Sequence, residues 1–114
     1  MMDVSLERFE ALVAAALDAI PEALGQHMDN VVVQVSDQSR HRNLLGLYEG
    51  VPLTARGNYG GLVLPDRITV YRLPILAMCR TESDVVDQVR TTVVHEVAHH
   101  FGIDDARLRE LGYG

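Results

Sequence analysis

His95, Glu96 and His99 stand within the stretch VVHEVAHHFGIDD, with Gly102, Asp104 and Asp105 close behind. On a helix, two histidines four positions apart project from one face, about 40° apart and one turn along the axis. That spacing lets two imidazoles bind one Zn²⁺ at roughly 2 Å each. Glu96 points about 100° away around the helix, too far round to be a natural third ligand. It is within reach of a water on the metal. This is the H-E-x-x-H pattern, in which the glutamate serves as general base toward that water.

Two histidines make a weak site, because catalytic zinc usually takes three protein ligands and keeps one position for water. Gly102 follows His99 by three residues and Asp105 follows Gly102 by three. A glycine can take the left-handed conformation that ends a helix and turns the chain back. A carboxylate a few residues later then swings toward the same ion. Asp105 is the expected third ligand. Asp104 is its rival, with the competing task of capping a short last helix.

The surrounding chain must hold this stretch in place. Thr81, Ser83 and Asp84 offer N-cap chemistry for a helix running to about Phe101, with Gly102 at its C′ position. Val86, Val89, Val93 and Val97 form a stripe roughly opposite the two histidines, so one face packs while the other lines a cleft. Gln88, Thr91 and Thr92 are expected on the cleft side. His100 falls with the valines and reads as a hydrogen-bonded residue, either in the core or supporting the metal ligands from behind, rather than a ligand itself.

Upstream, Leu6, Phe9, Leu12, Val13, Ala16, Leu17 and Ile20 recur at helical spacing after Ser5 or Asp3 as N-cap. Pro21 interrupts, and Pro21 to Leu24 read as a short turn. Val31 to Val35 read as a largely buried strand, Leu44 to Tyr48 as a short one, and Arg67 to Leu73 as a half-buried strand ended by Pro74. Residues 49 to 66 carry four glycines and two prolines and read as a loop, in which Gly57 to Gly61 could shape a cleft mouth. The Arg67 to Leu73 strand is a candidate edge for pairing an extended peptide. The element order is that of an α+β domain spanning residues 1 to 114, with a small sheet and helices packed on it.

At this point a resemblance is evident. TTVVHEVAHHFGIDDARLRELGY is similar to the bacterial minimal zincin-like metallopeptidases, and LLGLYEGVPLT and LPDRITVYRLPI resemble them too. The extended pattern H-E-x-x-H-x-x-G-x-x-D also resembles the metzincin motif, with Asp in place of its third His. The resemblance implies a minimal zincin-like fold: a small mixed sheet of three or four strands, a backing helix, an active-site helix and a short C-terminal helix. It implies one Zn²⁺ per chain on His95, His99 and Asp105, Glu96 as base, and a peptide or protein substrate. The nine residues after Asp105 include no Met, so the floor of the site is expected to be built differently from the metzincins' methionine turn. Tyr113 is a candidate oxyanion stabiliser, against the plainer reading that it packs the last helix on the core.

Composition narrows the classes. Hydrophobic residues make up 47% of the 114 and charged residues 23%, an ordinary globular balance. The net charge of −6 and the want of any basic run argue against nucleic acid and anionic membrane as partners. No apolar run approaches a membrane span, the N-terminus does not read as a signal peptide, and the single Cys79 fits a reducing compartment, so a cytoplasmic protein is expected. Cys79 itself reads as a small buried residue rather than a nucleophile, and His27 and His41 carry no assigned role. Two other functions fit the same residues. One is a metal-dependent endoribonuclease, since His95, His99 and Asp105 share the His-x₃-His-x₅-His spacing of one bacterial family; that family does not need Glu96. The other is a non-catalytic zinc-binding or partner-binding domain.

Overall fold

The computed structural model describes residues 2–40, 43–50 and 64–110. The chain opens with α1 (Leu6–Asp18), capped by Ser5, whose hydroxyl accepts from the Arg8 amide at 3.1 Å. Phe9, Leu12, Val13 and Ala16 are its buried stripe. Removing each larger side chain from water is worth about 1.5–3 kcal/mol. The helix stops at Asp18, short of Ile20. After Pro21 come a single turn, α2 (Glu22–Gly25), and a 3-10 turn over Gln26–Met28.

Three strands follow among the described residues: β1 (Val31–Ser36), β2 (Gly46–Glu49) and β3 (Asp66–Tyr71). The sheet order is β1-β3-β2. β1 runs parallel to β3, with Val33 opposite Ile68, and β2 runs antiparallel to it, with Tyr48 opposite Ile68. Two expectations need correction here. β3 is the central strand, so it cannot offer its edge to a peptide, and Ile68, Thr69, Val70 and Tyr71 are all buried rather than alternating. β1 is not largely buried. It lies at the sheet's edge with Val31, Val33 and Val35 turned inward and Val32, Gln34 and Ser36 exposed.

Pro74 does not follow a strand but sits inside α3 (Arg72–Ala77). The first amides of a helix have no acceptor within it, so a proline at its third position loses no bond. Arg72 anchors the turn into this helix. Its guanidinium donates to Asp37 Oδ1 at 2.9 Å and to the Val4 carbonyl at 2.6 Å.

The longest element, α4 (Glu82–His100), begins in a capping box. Thr81 Oγ1 accepts from the Asp84 amide at 3.1 Å, while Asp84 Oδ2 accepts from the Thr81 amide at 3.2 Å. Val85, Val89, Val93 and Val97 are fully buried beneath it and pack in one core with α1, β3 and α3. A bidentate pair from Arg8 to Glu82, at 2.7 and 2.8 Å, ties the start of α1 to the start of α4. The last described element is α5 (Asp105–Glu110), held by Leu108. The whole is an α+β fold: a three-stranded mixed sheet with helices against it. No helix of the described residues is long and apolar enough to cross a membrane.

Candidate metal centre

The second half of α4 carries the candidate residues. His95 and His99 lie one turn apart on the same face, with ring centroids 6.0 Å apart and planes inclined by 30°. The helix then ends in a Schellman turn. Gly102 has φ of +75°, the Ile103 amide donates to the Ala98 carbonyl at 2.8 Å, and the Gly102 amide to the His99 carbonyl at 3.2 Å. Ile103 packs against the core and fixes the direction in which the chain leaves.

That turn gives the two aspartates different surroundings. Asp104 caps α5: its Oδ1 accepts from the Arg107 amide at 2.8 Å, and its carbonyl from the Leu108 amide at 3.0 Å. Asp105 is thereby swung back toward α4, and its Oδ1 lies 3.4 Å from His99 Nε2. Two ligand atoms each about 2 Å from one tetrahedral ion lie roughly 3.3 Å apart. The His99–Asp105 pair therefore already has the edge length of a zinc site. The two imidazoles are more open, since rings sharing an ion at about 2 Å have centroids roughly 5 Å apart. Among the described residues no three His, Cys, Asp or Glu side chains converge tightly enough to hold a metal. The donor set of two imidazoles and a carboxylate fits zinc. His95 and Asp105 also share a cleft of about 170 Å³ with Leu108 and Arg109. Two larger hollows, of about 430 Å³ at the start of α4 and about 350 Å³ beside Phe101, include none of the four candidate residues.

Glu96 faces β2. Its Oε1 accepts from the Tyr48 backbone amide at 3.0 Å. The sequence offered no sign of this partner, 48 positions away, except a glycine inside a strand. Such a glycine often marks a close backbone approach, and Gly46 here faces Thr92. For the same reason Thr92 is buried rather than lining the cleft. His100 also departs from expectation. It does not enter the core but lies part-exposed at the helix end, stacked on Tyr48 with centroids 3.9 Å apart and its Nε2 3.9 Å from Asp66 Oδ2. The valine stripe carries inward only as far as Val97, and the aromatic ring of Tyr48 takes the next position. Tyr113, Gly112, His41 and the Gly57 to Gly61 segment lie outside the described residues. Cys79 is buried, and burial, then the nearby Asp84 carboxylate, pushes its thiol above the ordinary range.

The profile of the zincin-like metallopeptidase family matches residues 18–114. This chain belongs to that family. The zincin-like fold also has a solved counterpart in a conserved hypothetical protein from T. thermophilus, with a TM-score of 0.54 at 21% identity over 86% of this chain and 94% of the other. At that identity the likeness concerns the fold alone. No curated protein matches. Membership points to a metallopeptidase type of function and to zinc in general terms.

Proposed function

We propose that this protein is a zinc-dependent, peptidase-type hydrolase acting on a peptide or protein substrate. His95, His99 and Asp105 would hold one ion, and Glu96 would handle the proton. The observation that carries the reading is the 3.4 Å separation of His99 Nε2 and Asp105 Oδ1, produced by the left-handed glycine that ends α4. A zinc ion held there supplies Lewis acidity, which polarises a carbonyl and lowers the pKa of water. Glu96 follows His95 by one residue on α4, with one carboxylate oxygen held by the Tyr48 amide. The other oxygen takes a proton from the attacking water and passes it to the leaving amine. His99 and Asp105 keep side-chain exposures of 57% and 68%, so ion and substrate reach them from solvent. The reading sets the protein in the cytoplasm, where a thiol such as Cys79 stays reduced.

The test begins with protein stripped by chelator, reloaded with zinc and measured by elemental analysis. Wild type and Glu96→Gln are then incubated with labelled casein and, in parallel, with structured RNA. One zinc per chain in both proteins, with casein cleaved only by wild type, supports the proposal. Zinc well below one per chain in wild type sinks the metal centre. RNA cleavage without proteolysis favours the endoribonuclease. Full zinc with neither activity leaves a zinc-binding domain and overturns the hydrolase.

A further inference from the structure

β2 and α4 meet in a regular register. A Cβ built on Gly46 would stand 2.7 Å from Thr92 Cγ2, 3.2 Å from the Thr69 carbonyl oxygen and 3.9 Å from Glu96 Cγ. The Tyr48 amide donates to Glu96 Oε1. A Cβ on Gly50 would stand 3.2 Å from His100 Cε1. Positions 46 and 48 of β2, and Gly50 just after it, thus face helix positions 92, 96 and 100. Two strand residues advance about 6.6 Å and four helical residues about 6 Å, so the two segments stay in step. The strand's own alternation explains which amide is offered. The Leu45 carbonyl accepts from the Tyr71 amide at 2.9 Å and Leu47 lies opposite Thr69, so odd positions face β3 and even ones turn outward toward α4.

We infer that Gly46 and the Tyr48 amide are positioning residues for Glu96. The missing Cβ of Gly46 lets the Thr92 methyl seat against β2. That contact sets the distance at which the Tyr48 amide holds the carboxylate one turn further along. Glycine weakens a strand, so its place here is accounted for by the close approach it permits. A glutamate has three rotatable bonds, and a single oxygen pinned to the backbone leaves its second oxygen aimed rather than swinging. A side chain at position 46 must displace the Thr92 methyl and crowd the Thr69 carbonyl, which disturbs the seating of α4 on β2, and hydrogen bonds weaken steeply as they lengthen and bend. The catalytic meaning of this device rests on the role proposed for Glu96; its geometry does not.

Amide hydrogen exchange of the full chain, read by NMR, tests it without any need for turnover. The proteins are wild type, Glu96→Ala, Gly46→Ala and the double variant Gly46→Ala/Thr92→Ser, which removes the opposing methyl and keeps the hydroxyl that accepts from Gln88. The Leu73 amide, bonded to the Asp37 carbonyl at 3.0 Å, is the internal reference. Glu96→Ala and Gly46→Ala should each speed Tyr48 exchange by about tenfold or more, as loss of a bond to a charged acceptor predicts, with Leu73 unchanged. The double variant should regain Tyr48 protection. Unchanged Tyr48 exchange in either single variant overturns the inference, and so does a double variant that stays unprotected. If Gly46→Ala does not fold, a double variant that folds with Tyr48 protected supports the inference and one that also fails overturns it. Where wild type cleaves casein, Gly46→Ala should lower kcat with KM and zinc affinity unchanged, and Thr92→Ser should restore it. A wild type without turnover counts against the hydrolase reading alone.

Discussion

His99 Nε2 and Asp105 Oδ1 lie 3.4 Å apart, although they stand six positions apart in the chain with a complete helix terminus between them. The pair is close because the chain reverses at Gly102 and restarts at Asp104. Neighbouring aspartates therefore do different work: one satisfies the amides of α5 and the other faces α4.

Substitutions at the two positions should separate accordingly. Asp105→Ala should lower zinc affinity by more than the ~10–100-fold typical of residues that only orient a ligand, with the zinc-free melting temperature nearly unchanged. Asp104→Ala should lower stability by about 1 kcal/mol through loss of the cap, and Asp104→Asn should preserve both cap and zinc binding. Competition with a chelating dye, alongside thermal melts of the zinc-free proteins, checks both. Equal zinc affinity in Asp105→Ala and wild type would show that the carboxylate is no ligand.

Gly102 should be sensitive for backbone reasons alone. A Cβ there would touch nothing within 4 Å, but φ is +75°. Alanine in the left-handed region costs about 1–2 kcal/mol, and relieving that strain would shift Asp105 away from His99. Gly102→Ala should therefore lose stability and zinc affinity together. Gly102→Asn, which tolerates this conformation better, should lose less of each. Unfolding curves and zinc titrations on the three proteins decide it.

Glu96→Gln should keep zinc and abolish hydrolysis. The glutamine carbonyl can still accept from the Tyr48 amide, so the side chain stays where it is and only its basicity goes. Loss of a positioned general base typically costs about 10²–10⁴-fold. A zinc-loaded Glu96→Gln protein that cleaves casein at the wild-type rate would remove Glu96 from the proton's path.

What the sequence disclosed was local. The i, i+4 histidines, the C′ glycine, the Asp104 cap and the Thr81–Asp84 box are all settled within a few residues, where geometry follows from the helix itself. Strand order is not local, and so β3 looked like a possible edge and β1 like a buried strand. Pro74 read as a strand terminator because its tolerance in a first helical turn depends on where that turn begins. His100 obeyed its place on the wheel only while there was core beneath it to enter. The contact of Glu96 with Tyr48 was signalled only by Gly46, and a glycine in a short strand has several readings until its neighbour is known.

The start of α4 should give the protein a defined acid limit. Two backbone bonds, from Arg80 first and Thr81 next, hold the Asp84 carboxyl below its ordinary range, and the Arg8 hydrogen bond does the same for Glu82. Each group therefore binds its proton more weakly folded than unfolded. The stability they lend is complete above the unfolded value of about 4. It is lost as pH falls through that value to the lower folded one. Melting temperatures of zinc-free wild type and Asp84→Asn should differ at neutral pH, with the variant lower. The gap should close as pH drops below about 4, because protonated Asp84 and asparagine are alike in charge. Comparing the two proteins cancels the titration of the histidines, which they share. A gap that stays constant down to unfolding would show that the carboxylate charge adds nothing to the cap.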